Sequence, residues 1–183
     1  MSREVLLALF PYVISALATA VVGIAALKRR HDVSEVEIFA IYSFLLVIMI
    51  VAFILELVAT RLVIKMFWDD IQWIPAIFAS VVFFVFSCRY TQIETEGIRR
   101  LYRWLFAAAG ASIILVYTNG LHGLTRQMPY LEVPFDAYPF SILVYSYPAG
   151  FWILSAFAYL VTFSCFILLI RHIIRTAKHH RWH

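Results

Sequence analysis

Long apolar stretches separated by short charged clusters run through the chain. Residues 5–27 carry no charge, and Lys28-Arg29-Arg30 follow directly. Residues 38–55 and 71–88 are again uncharged. Further uncharged windows cover 104–125 and 137–170, the latter too long for one span. Pro148 suits the first turn of a helix, so the last span is expected to begin there. A hydrocarbon core of about 30 Å takes about 20 helical residues. The runs are continuous, without the period-two alternation of a membrane β-barrel. The pattern predicts an all-α integral membrane protein, a bundle of five transmembrane helices in one membrane domain, 1–183. The spans are expected at about 5–27, 38–58, 71–90, 101–118 and 148–174.

Composition strengthens this reading. The 183 residues are 63% hydrophobic and 14% charged, with a mean hydropathy of +0.86. Soluble domains average about 45–50% apolar and about 25% charged. A soluble enzyme, a disordered chain and a disulfide-stapled secreted domain are excluded. The net charge of +4 belongs to helix ends rather than to a basic face, so no nucleic acid is expected as partner. The long first run, with mixed charge before it and a basic cluster after it, reads as a retained span, not a cleaved signal peptide.

Charge also predicts orientation. Of the fifteen Lys and Arg, eleven fall in the 28–34 loop, the 89–103 loop and the C-terminal tail. The other four are Arg3, Arg61, Lys65 and Arg126. The positive-inside rule then puts the N-terminus outside and the C-terminus in the cytoplasm, in a cell inner membrane. Cys88 and Cys165 fall inside spans and read as buried packing residues. The outer loop 119–147 holds Pro129, Pro134 and Pro139 among Tyr130, Phe135, Tyr138, Phe140, Tyr145 and Tyr147. It reads as an ordered aromatic and proline-rich cap on the outer surface, either an interfacial belt or a lid over a pocket.

Few side chains invite chemistry. Glu56 ends the second run, where a carboxylate needs a partner, a proton or water. Arg61, Lys65 or a polar group from another helix could serve. Arg61, Lys65 and Asp69 follow at four-residue spacing and read as the solvated face of a short outer helix. Gln72 and Pro75 enter the third span, with Pro75 either kinking it or occupying its first turns. The small residues from Ala107 to Ser112 suit close helix packing. Asn119-Gly120 reads as a helix end, with His122 a surface or capping histidine that could also sense pH. No metal site is expected. His122 is placed at the outer face and His31 and His172 at the inner, too far apart to share a haem, and His179, His180 and His183 lack partners of metal-site spacing. Phosphate-loop, dinucleotide, hydrolase and metalloprotease motifs are lacking, and mid-membrane charge is scarce.

In their order, Glu56, Trp68, Gln72, Tyr90-Thr91, Thr118-Asn119-x-x-His122-x-Leu124, Phe151-Trp152 and Tyr159 resemble a known pattern. It is that of the N-terminal seven-transmembrane sensor region of bacterial and archaeal histidine kinases. The resemblance covers roughly 5–175. It implies two more helices and a transmitter after the fifth span, so the chain is expected to be a piece of a longer protein or a five-helix relative. It implies a non-catalytic input module that relays an outer or intramembrane stimulus through helix packing. Any ligand site is expected under the outer cap, lined by Glu56, Gln72, Asn119, His122 and Trp152. Expected partners are the lipid bilayer and a histidine kinase. The alternative is a structural accessory subunit among the subunits of a respiratory, photosynthetic or transport complex. A small transporter or membrane enzyme is a third reading. Cofactors stay open, since pigments and quinones bind through contacts that look like lipid contacts.

Overall fold

The computed structural model describes residues 3–29, 34–133 and 139–180. The expectations for Arg30, His31, Pro134, Phe135, Tyr138, Arg181, Trp182 and His183, and for the side chains of Lys178, His179 and His180, lie outside it. The helices are α1 (Arg3–Lys28), α2 (Ser34–Val58), α3 (Leu62–Tyr90), α4 (Glu96–Tyr117), the single turn α5 (Asn119–His122) and α6 (Ala149–His180). Strands β1 (Gln127–Glu132) and β2 (Ile142–Ser146) form an antiparallel hairpin between α5 and α6.

Four of these helices, α1, α2, α3 and α6, are long and apolar enough to cross a membrane. The fifth, α4, has 22 residues, and Arg99, Arg100 and Arg103 in its first turns dilute its apolar character. Thr95 caps it by accepting the backbone N–H of Ile98 at 3.3 Å.

Packing is organised around α3. Leu9 meets Leu57, and the Tyr12 and Phe53 rings lie 5.2 Å apart, so α1 and α2 run antiparallel. The Tyr42 and Phe83 rings stack at 5.0 Å, and Phe39 and Phe86 lie 5.4 Å apart, so α2 and α3 also run antiparallel. On a second face of α3, Ile77 and Val81 enclose Ala109 of α4, while Val85 and Cys88 enclose Tyr102. The small-residue run thus brings α4 close through Ala109 and Ser112, both buried. A third face of α3 takes α6 in parallel, from Trp73–Phe151 at 5.7 Å to Tyr90–His172 at 5.6 Å. Cys88 and Cys165 are free thiols without solvent exposure.

Two expectations need correcting. No separate outer helix carries Arg61, Lys65 and Asp69: α3 starts at Leu62 and is continuous, so Lys65 and Asp69 belong to its first two turns. They are not a solvated face, since Lys65 is fully buried and the Asp69 side chain is only 16% exposed. Consequently Pro75 sits mid-helix and buried, not in a first turn. The outer stretch also contains β-structure. Proline is tolerated at Pro129 because a two-stranded sheet has only edge strands, and the register shifts between Gln127 and Tyr130. Met128 at that bulge has φ of 49°, the left-handed region.

Candidate functional site

The antiparallel packing gathers the start of α1, the end of α2, the start of α3, the end of α4 and the start of α6 at one end of the bundle, with the hairpin. The buried charged residues Glu56, Lys65 and Arg126 lie there. The chain turns from α2 into α3 within three residues, and Lys65 folds back to close the turn. Its ammonium donates to the carbonyls of Glu56 at 2.6 Å and Leu57 at 3.2 Å. A cation at a helix C-terminus satisfies otherwise orphan carbonyls and faces the negative end of the helix dipole.

The Glu56 carboxylate accepts from Gln72 Nε2 at 3.0 Å, across from α2 to α3. Gln72 also donates to the Trp68 carbonyl at 3.4 Å. Lys65 therefore serves the backbone of Glu56, and the partner of its side chain is an amide on another helix. One helical turn before Gln72, Asp69 and Asp70 each pair with the guanidinium of Arg126, through Nη1 and Nη2 respectively. Arg126 is buried, and its Nε–H has no acceptor among the described residues. Together the group sets Glu56, Asp69 and Asp70 against Lys65 and Arg126, one negative charge in excess.

The segment that presents Arg126 is held by Asn119. The Asn119 side chain accepts the N–H groups of Thr125 at 2.8 Å and Arg126 at 3.3 Å, and donates to the Arg126 carbonyl at 2.9 Å. His122 uses Nδ1 to accept the N–H of Leu124 at 3.0 Å, and its Nε2 lies 3.2 Å from the Thr118 hydroxyl. Gly123, at φ of 61°, ends α5 in the left-handed region that glycine adopts without strain. Replacing Asn119 by Ala leaves two backbone N–H groups without their acceptor. The expected loss is about 2 kcal/mol of unfolding free energy, read as earlier labelling of Cys88 and Cys165 on heating in mild detergent.

Above this group lies the hairpin. Burial raises the Tyr145 phenol, Asp69, Tyr147 and Glu56 push it further up, and Arg126 opposes them. The phenol therefore stays neutral at cellular pH.

The sequence-derived site residues thus fall into three places. Glu56 and Gln72 are bonded to each other. Asn119 and His122 line one open cavity of about 590 Å³, with Arg126, Met66 and residues of the hairpin. Trp152 stands apart, 61% exposed, and packs on Tyr147 and Phe151. Arg126 and the aspartate pair did not stand out in the sequence. Their signal was the tandem Asp69-Asp70 beside an apolar run, with Lys65 the one cation within five residues of either.

The family described as the N-terminal 7TM region of histidine kinase matches residues 11–183. The chain belongs to this family. No curated protein and no solved structure matches it. As a 7TM region of histidine kinase, the chain is a multi-pass membrane protein of the sensor and signal-transduction class. The matched stretch takes in α2 to α6 and most of α1, so the Arg126 group and the hairpin are parts of the sensor region itself.

Proposed function

We propose that the chain is a non-catalytic input module that receives a stimulus at the hairpin end and relays it through α3 to the opposite end. The reading rests on the family, and on one observation: Arg126, beside the hairpin, is paired with two carboxylates of the helix on which α2, α4 and α6 all pack. A ligand entering the cavity beside Asn119 and His122 would border Arg126, which lines the same cavity. Any change in how Arg126 holds Asp69 and Asp70 would act on the start of α3, and through Gln72 on Glu56 and α2. Trp152 would belong to the aromatic rim, not the site. In this reading α4 is a fifth span, the hairpin end faces outside, and α6 ends in the cytoplasm of a cell inner membrane, where a histidine kinase receives the signal. The alternating helix directions fit five crossings, and the excess of basic residues in the 28–34 and 89–103 loops and the C-terminal tail supports the orientation. An accessory-subunit role draws no support from the comparisons.

The test places spin labels at the far end, through Glu37→Cys on α2 and Thr176→Cys on α6, both solvent-exposed. The interlabel distance distribution is then measured for the otherwise wild-type chain, for His122→Ala and for Arg126→Gln. A relay shifts or broadens the distribution in both variants. An unchanged distribution in both would end this reading.

A further inference from the structure

The opposite end of the bundle carries a different kind of cavity. A basic recess of about 250 Å³ is bounded by Thr91 and Ile93 after α3 and by Leu168, Arg171, His172 and Arg175 of α6. Arg171 and Arg175 are one helical turn apart on α6 and so share a face. Neither forms an ion pair or hydrogen bond within the described residues. The one nearby carboxylate that is engaged, Glu94, lies 3.7 Å from Arg89 instead. His172 is held beside them by the Tyr90 ring.

A second recess of about 260 Å³ shares Ile93 and Leu168 with the first, so the two adjoin at these side chains. Its other walls are apolar: Phe84 and Cys88 of α3, Ile98 of α4 and Ile167 of α6, with Ser164 at its far edge. The Ser164 hydroxyl is already committed to the Leu160 carbonyl at 2.8 Å. This second recess extends from the helix ends towards the middle of the bundle. Two free guanidiniums at the mouth and an apolar groove running into the membrane have the polarity of an amphiphile. Arginine is suited to phosphate, which it can engage through two parallel donors. A free phosphate ion would use the mouth alone and leave the groove without a role.

We propose that these two adjoining recesses together bind one anionic phospholipid, with its phosphate between Arg171 and Arg175 and the upper part of an acyl chain between α3, α4 and α6. The site lies away from the Arg126 group and does not depend on the sensor reading. It would tie α6 to α3 and α4 at the end of the bundle remote from the hairpin.

The test uses the full chain, delipidated in a neutral detergent, with native mass spectrometry against phosphatidylglycerol and phosphatidylcholine of identical chains. Wild type should retain one phosphatidylglycerol and discriminate against phosphatidylcholine. Arg171→Gln with Arg175→Gln should weaken phosphatidylglycerol binding about 30-fold, the effect of two basic side chains at an anionic surface. Arg100→Gln with Arg103→Gln, on the exposed face of α4 at the same end, should bind as wild type does. Ser164→Phe, which keeps every arginine and fills the groove, should weaken binding as well. Protected Cys88 and Cys165 thiols confirm that each variant is folded. Equal retention of the two lipids, equal loss in the Arg100/Arg103 variant, unaltered binding in Ser164→Phe, or displacement of the lipid by equimolar glycerol 3-phosphate would each overturn the proposal.

Discussion

Replacing Arg126 by Gln should lower the unfolding free energy by about 3–5 kcal/mol, the usual cost of removing one partner from a buried ion pair. That cost is not the strength of the pairing itself. Taking the guanidinium and two carboxylates out of water offsets much of their attraction. What the substitution adds is a pair of adjacent carboxylates, each with less than a quarter of its side chain exposed, and no cation between them. They repel each other, and the nearby Glu56 charge adds to the repulsion. Neutralising the carboxylates should therefore rescue the variant: Asp69→Asn with Asp70→Asn in the Arg126→Gln background should recover most of the loss. Thermal unfolding in mild detergent checks this without an engineered probe. Cys88 and Cys165 have no exposure in the folded chain, so a thiol-reactive dye labels them only as the bundle opens. An Arg126→Gln chain that unfolds at the wild-type temperature would show that the pairing contributes nothing net.

Gly150→Ala should cost about 3 kcal/mol, at the upper end for overpacking a well-packed site. A methyl group there would sit 2.3 Å from the carbonyl oxygen of Leu124 and 3.0 Å from its carbon. Those are backbone atoms, and their segment is fixed by the Asn119 hydrogen bonds to Thr125 and Arg126. Neither side can yield cheaply. The first turn of α6 must move away from the loop, and the Phe151 contact with Trp73 goes with it. The same dye measurement should give a lower unfolding temperature for Gly150→Ala. As a contrast, Gly110→Ala, where an added methyl meets nothing within 4 Å, should raise it slightly through better helix propensity.

The membrane body was largely legible in the sequence, because apolar run length is a direct consequence of bilayer thickness. Residues 5–27 became α1, and the run from Pro148 became α6 with its start one residue later. The start of α3 was not legible. Lys65 and Asp69 at four-residue spacing fit an exposed helix face equally well. Their burial follows only from α2 folding back on α3 and from Arg126 arriving from a segment 57 residues further on. The hairpin was masked by Pro129 and by the bulge at Met128, which interrupts the alternation that marks a strand. Glu56 and Gln72 could be singled out as polar residues at the edge of apolar runs. That they would bond to each other required the turn between α2 and α3, and that Trp152 would face outward required the rotation of α6.

The placement of α3 has a consequence for how the chain is built during synthesis. The contacts of α1 with α2, α2 with α3 and α3 with α4 all join sequence neighbours, so each can form as the next helix leaves the ribosome. Among these helix contacts that of α6 with α3 is the exception, since α4 and the hairpin come between them. Docking of α6 therefore comes after the other helix contacts have formed. It seals Cys165 into the core and buries Gly150 against Leu124. A nascent chain halted before Ala149 would hold α1 to α4 together with one flank of α3 open to lipid.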